Sequence, residues 1–165
     1  MYDRLLALGF TEQMAMDIWH CFLTLTSCVL TFILRSSSMY SYFNPNPAGR
    51  NVSDCTVRAI CKATGKDWGK VYLSLCIRGY LDGDLPNANA CWGAYLRSLG
   101  YRRYIMPDTC PDCYTVGKFA DEHPRGTYIL ALSGHVVCVQ DGVIYDSWNS
   151  ENEIPLYYWA KETEE

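Results

Sequence analysis

The chain has 165 residues, 49% apolar and 14% aromatic, which suits one domain with a core of its own and excludes a disordered chain. A formal net charge of -4, with no basic stripe, argues against nucleic acid as the partner. Nine cysteines, an odd count at irregular spacing, do not make a disulfide framework. Several (Cys21, Cys28, Cys61, Cys76, Cys138) sit in apolar runs as small hydrophobes, which fits a reducing, cytoplasmic compartment.

In chain order, residues 1–38 stand apart from the rest. "MYDRLLALGFTEQMAMDIWHCF" predicts a short amphipathic helix, a Gly-Phe turn and a second helix that Thr11 caps. Within it, "LLALGFTEQMAMDI" resembles the start of a ubiquitin-associated-type three-helix module, over that stretch alone. The run from Ile18 to Leu34 is uncharged but interrupted by His20 and several Thr and Ser. It reads as a helix packed on the body or on another copy, a route to a homo-oligomer, rather than as a membrane span. No small-residue cleavage site follows, which argues against a signal peptide. "RSSSMYSYFNPNPAGRN" (35–51) predicts loop. The chain thus divides into a helical extension, 1–38, and a main domain, 39–165.

The main domain begins with three helices. "SDCTVRAICKATG" predicts one that starts near Cys55 and stops before Gly65. "KDWGKVYLSLCIRGYL" predicts a second with Asp67 as its N-cap, and "DGDLPNANA" is loop. "NACWGAYLRSLG" predicts a third, stopped by Gly100. "YRRYIM" predicts a short strand and "PDTCPDC" a turn, and "YTVGKFADEH" a fourth helix ended by Pro124. "GTYILALS", "HVVCVQ", "VIYDSW" and "IPLYYWA" predict strands, and Asp141-Gly142 between the second and third of these is a strong hairpin signal. Helices first and an antiparallel sheet later make the class α+β, N-terminal helices packed on a C-terminal sheet.

Chemistry enters through the hairpin. A two-residue turn at Asp141-Gly142 sets Cys138 opposite Tyr145 and Val137 opposite Asp146, with Trp148 across from His135. His135, Val137, Asp146 and Trp148 then share a face, and Asp146 is the diagonal neighbour of His135, within hydrogen-bond reach. A carboxylate so placed fixes an imidazole's tautomer and supports its positive charge. Such a pair calls for a nucleophile, and Cys55, in the first turn of a predicted helix, is the best placed, because a helix N-terminus stabilises a thiolate. Asp54 beside it opposes this unless its carboxylate turns aside to cap the helix. Each residue also has a structural reading on its own: Cys55 as a buried small side chain, His135 as a strand-end histidine, Asp146 as a turn residue.

A Cys opening the first helix of the domain, then His on a strand and Asp on the next, resembles the papain-like cysteine peptidase superfamily. "NPAGRNVSDCTVRAICKATGKDW", "GTYILALSGHVVCVQDG" and "YDSWNS" are similar to small papain-like proteins of phages and Gram-positive bacteria, over about residues 40–160. The resemblance implies a hydrolase acting on a peptide or isopeptide bond, with Cys55 as nucleophile, His135 as base and acid and Asp146 as orienter. The Gln that often donates to the oxyanion has no counterpart before Cys55, which leaves Asn51 and the Cys55 backbone N–H. Trp148 would cover the imidazole. The partner expected is a peptide or protein substrate, with no cofactor. The same residues could serve an acyltransferase, and the same fold a catalytically silent binding or inhibitor protein.

"CPDC" at 110–113 is the rival motif. Cys110 and Cys113 could be half of a zinc site or a redox pair, or a turn whose sulfurs pack inward. The nearby pool for further zinc ligands, His123 with Cys91 or Cys76, matches no recognised spacing.

Overall fold

The computed structural model describes residues 11–14, 16–17, 20, 39–107 and 113–161, and the chain divides between Ser37 and Ser38 into two units. In the first unit residues 12–14, 16, 17 and 20 are helical, and Thr11 Oγ1 accepts from the Met14 N–H at 3.3 Å, the cap its sequence predicts. Apart from His20, the predicted first helix and the apolar run from Ile18 to Leu34 lie outside the described residues. Among the described residues no helix is long and apolar enough to cross a membrane.

The second unit is α+β. Its elements are β1 (Tyr40–Tyr42), α1 (Cys55–Thr64), α2 (Trp68–Asp82), α3 (Asn89–Ser98), β2 (Tyr101–Ile105), α4 (Val116–Glu122), β3 (Thr127–Leu132), β4 (His135–Gln140), β5 (Val143–Asp146) and β6 (Pro155–Lys161). The helix ends follow from local chemistry. The Asp67 carboxylate caps α2 by accepting from the Lys70 N–H, and Thr115 Oγ1 caps α4 by accepting from the Lys118 N–H. Gly65 and Gly83, both left-handed, end α1 and α2.

All six strands form one sheet, in the order β1-β5-β4-β3-β6-β2. Its strands pair antiparallel except at one edge, where β1 runs parallel to β5. This corrects the expectation of a purely antiparallel C-terminal sheet, with 35–51 as loop. At three residues, between Ser and Asn-Pro segments, β1 is too short to show a strand period, and it forms because β5 offers a free edge. The other edge is β2, whose exposed Arg102 and Arg103 discourage further strand addition.

Both faces of the sheet are covered, which is why β3 and β4 read as nearly continuous apolar runs rather than alternating ones. Ile129, Ala131, Val136 and Cys138 face one core with Val57, Ile60 and Cys61 of α1, Leu75 of α2 and Trp92 of α3. Leu130, Leu132, Val137 and Val139 face a second core built on Val116, Phe119 and Ala120 of α4. Each large apolar side chain buried in this way stabilises the fold by about 1.5–3 kcal/mol.

The β4–β5 turn has the expected form. Asp141 (φ 51°) and Gly142 (φ 76°) are both left-handed, the signature of a two-residue type I′ hairpin. The ladder runs Gln140 to Val143, Val139 to Ile144 and Cys138 to Tyr145, the register the sequence predicts. Asp146 then pairs with Tyr42 of β1. Replacing Gly142 by Ala places a side chain in the left-handed region and should lower unfolding free energy by about 1–2 kcal/mol, measured by urea denaturation.

Candidate active site

The site is assembled where the start of α1 meets the start of β4 and the end of β5. A tight turn, with the Asp54 N–H bonded to the Val52 carbonyl at 2.7 Å, delivers the chain into α1 at Cys55. Val57, Ile60 and Cys61 then bind the helix to the sheet face that carries Val136 and Cys138. Cys55 is thereby held against β4, where it lines one cleft with Thr56, His135 and Val136.

Asp146 receives His135 from the other side. His135 Nε2 and Asp146 Oδ2 are 2.6 Å apart, which leaves Nδ1 as the ring nitrogen for the thiol. The carboxylate is 2% exposed. Its second oxygen accepts from the Ser147 N–H at 2.7 Å and lies 3.7 Å from Arg58 Nη2. Its backbone carbonyl accepts from the Phe43 N–H at 2.8 Å, so the strip beginning at β1 fixes the residue that orients the imidazole. Trp148 lies beside the ring, centroids 5.3 Å apart.

The electrostatics follow from these contacts. Burial pushes the Cys55 thiol up, but the His135 hydrogen bond and charge, the Val136 backbone bond and the Thr56 bond together hold it below its ordinary range. Burial pushes His135 down, yet its bonds to Asp146 and Cys55 and their charges outweigh this and raise it to about 9. Both shifts act in the direction of a thiolate–imidazolium pair. Burial drives Cys61 and Cys138 the other way, both up to about 12, and raises Cys91 as well. Being a buried small side chain therefore does not account for Cys55.

Asp54 does not cap α1. Its carboxylate turns aside instead to Arg58, one helical turn on, and to Trp68 Nε1 at 2.8 Å. Arg58, 5% exposed, thus stands between two buried carboxylates, Asp54 and Asp146, and also donates to the Val52 carbonyl at 3.1 Å. It neutralises the charge that would otherwise oppose a thiolate at Cys55. Sequence reasoning missed Arg58. The available signals were the Asp54–Arg58 spacing and an arginine flanked by Val57 and Ile60 in a core-facing helix.

A cleft of about 190 Å³ opens at Cys55 and His135, walled by Thr56, Asn87, Asn89, Trp92 and Gly134. An apolar pocket of about 180 Å³, lined by Val57, Tyr72, Leu75 and Pro86, adjoins it and shares Thr56 and Asn87. Asn51 is exposed in the loop before α1, and the amides that border the cleft are Asn87 and Asn89. Asn89 Oδ1 accepts from Trp92 Nε1 at 3.1 Å, which turns its amide group away from that bond. Neither asparagine was singled out from sequence, where "DLPNANA" reads only as loop. Of the rival motif, Cys113 is free and exposed, whereas Cys110 lies outside the described residues. Among the described residues no three His, Cys, Asp or Glu side chains are grouped to hold a metal. No family model, curated protein or solved structure matches the chain.

Two outcomes follow. Iodoacetamide at pH 6 should modify Cys55 ahead of the exposed Cys113, as read by mass spectrometry, and His135→Ala should abolish that preference. Arg58→Met leaves Asp54 and Asp146 without their cation and should cost about 3–5 kcal/mol in urea denaturation, with Arg58→Lys recovering part of the loss.

Proposed function

We propose that the chain is a papain-like thiol hydrolase that cleaves a peptide or isopeptide bond through Cys55, His135 and Asp146. The observation that carries this reading is a His135 ring bonded to the buried Asp146 carboxylate and lining the same cleft as Cys55, with Cys55 shifted down and His135 shifted up. An ordinary structural histidine has no use for both partners.

In this mechanism the Cys55 thiolate attacks the carbonyl carbon, and negative charge moves to the carbonyl oxygen. Because Asp54 makes no capping bond, the first turn of α1 keeps its N–H groups for that oxygen, and Asn87 at the cleft wall supplies a side-chain donor. The His135 imidazolium then protonates the leaving amine as the carbon–nitrogen bond breaks, giving a thioester on Cys55 and a neutral imidazole. Neutral His135 takes a proton from water, whose oxygen attacks the thioester; the acid leaves and the thiolate–imidazolium pair is restored. An amine attacking in place of water would give acyl transfer from the same intermediate. Asp146 holds the ring throughout.

The test is proteolysis of an unfolded protein mixture with mass-spectrometric detection of new N-termini. New termini should appear with the wild-type chain and vanish with Cys55→Ala. Turnover should be bell-shaped in pH, falling on the acid side as the thiolate is protonated and on the alkaline side as His135 loses its proton at about 9. Asn87→Ala should lower turnover about 10²–10³-fold with iodoacetamide labelling of Cys55 unchanged, and Asn51→Ala should leave it near wild type. Absence of both new termini and covalent capture by peptide chloromethyl ketones would overturn the reading.

A further inference from the structure

Helix α2 is apolar on two sides. Val71, Leu75 and Gly79 are buried on the body of the domain. Leu73, Ile77, Tyr80 and Leu81 recur at helical spacing on the opposite side and are 61%, 60%, 87% and 72% exposed, and Leu85 just beyond the helix is 67% exposed. Five such side chains present on the order of 500 Å² of apolar surface, at the top of the range for the largest patch on a monomer. A solvated helix face needs none of them.

We propose that this face is a two-fold interface with a second copy of the chain, formed by antiparallel packing of α2 on α2 about Ile77. The charges on the helix are what select a second copy and its direction. Lys66, Asp67 and Lys70 stand at the start of α2 with a net charge of +1, and Arg78, Asp82 and Asp84 at its end with a net charge of -1, Arg78 being paired with Asp82 at 2.6 Å. An axis through Ile77 sets Leu73 over Leu81 of the partner subunit and Lys70 beside Asp84 of the partner subunit, so the surface is complementary to itself. A parallel arrangement would bring like charges and like helix ends together. The Lys70–Asp67 pair within one chain, 3.0 Å apart but 78% and 57% exposed, is a solvated contact that can yield to the new one. Doubling the patch across the axis reaches the roughly 1,000 Å² that a specific interface requires.

Sedimentation equilibrium of the full chain at tens of micromolar tests this. The wild-type chain should sediment at twice its 18.8 kDa mass. Ile77→Asp sets two carboxylates against each other on the axis and should give the single mass, with an unchanged circular dichroism spectrum. Lys70→Glu should raise the dissociation constant about fivefold, and the Lys70→Glu/Asp84→Lys pair should restore it. A wild-type chain that stays at the single mass, a dimer indifferent to Ile77→Asp, or a charge reversal without effect would each overturn the proposal.

Discussion

Everything at the candidate site depends on one buried carboxylate. Asp146 is bonded to the His135 ring, to the Ser147 N–H and, through its backbone, to Phe43 after β1, with the Arg58 guanidinium 3.7 Å away. A carboxylate removed from water costs several kcal/mol unless it is paired and hydrogen-bonded. That requirement ties together segments far apart in sequence: the loop before α1, the middle of α1 and the hairpin. The short strand β1 and the buried Arg58 look like unrelated details until their common partner is seen.

The same network separates two like charges by role. Asp54 and Asp146 both lie close to α1, and two unbalanced carboxylates there would hold the Cys55 proton in place. Arg58 lies against both, while His135 stands between Asp146 and the sulfur. Burial raises the Cys55 thiol, and what outweighs burial is His135 first and then the Val136 backbone, with no part for the acid next to it in sequence. In the proposed mechanism this also frees the first turn of α1, since the carboxylate that would have capped it is engaged elsewhere.

Much of this was legible in the chain because it depends on local rules. Asp141-Gly142 admits one common turn, that turn sets one register, and the register brings His135 and Asp146 near each other. The limits of α1, α2 and α4 follow from Gly65, Asp67 and Thr115 by capping chemistry. What stayed hidden depends on distant partners. Three residues at Tyr40–Tyr42 carry no strand period and form β1 only because β5 has an open edge. Asn87 borders the cleft because the α2–α3 loop folds toward Cys55, a long-range outcome that "DLPNANA" does not encode locally. Arg58 reads as an ordinary helix charge until two carboxylates are known to flank it.

The site turns on the charge state of one ring. Nuclear magnetic resonance titration of His135, with isotope-labelled imidazole, measures it without any assumption about substrate. In the wild-type chain the ring should remain an imidazolium through neutral pH and titrate at about 9. In Cys55→Ala and in Asp146→Asn the titration should shift toward ordinary histidine values. A His135 that titrates near 6.5 in the wild-type chain and does not respond to either substitution would contradict it.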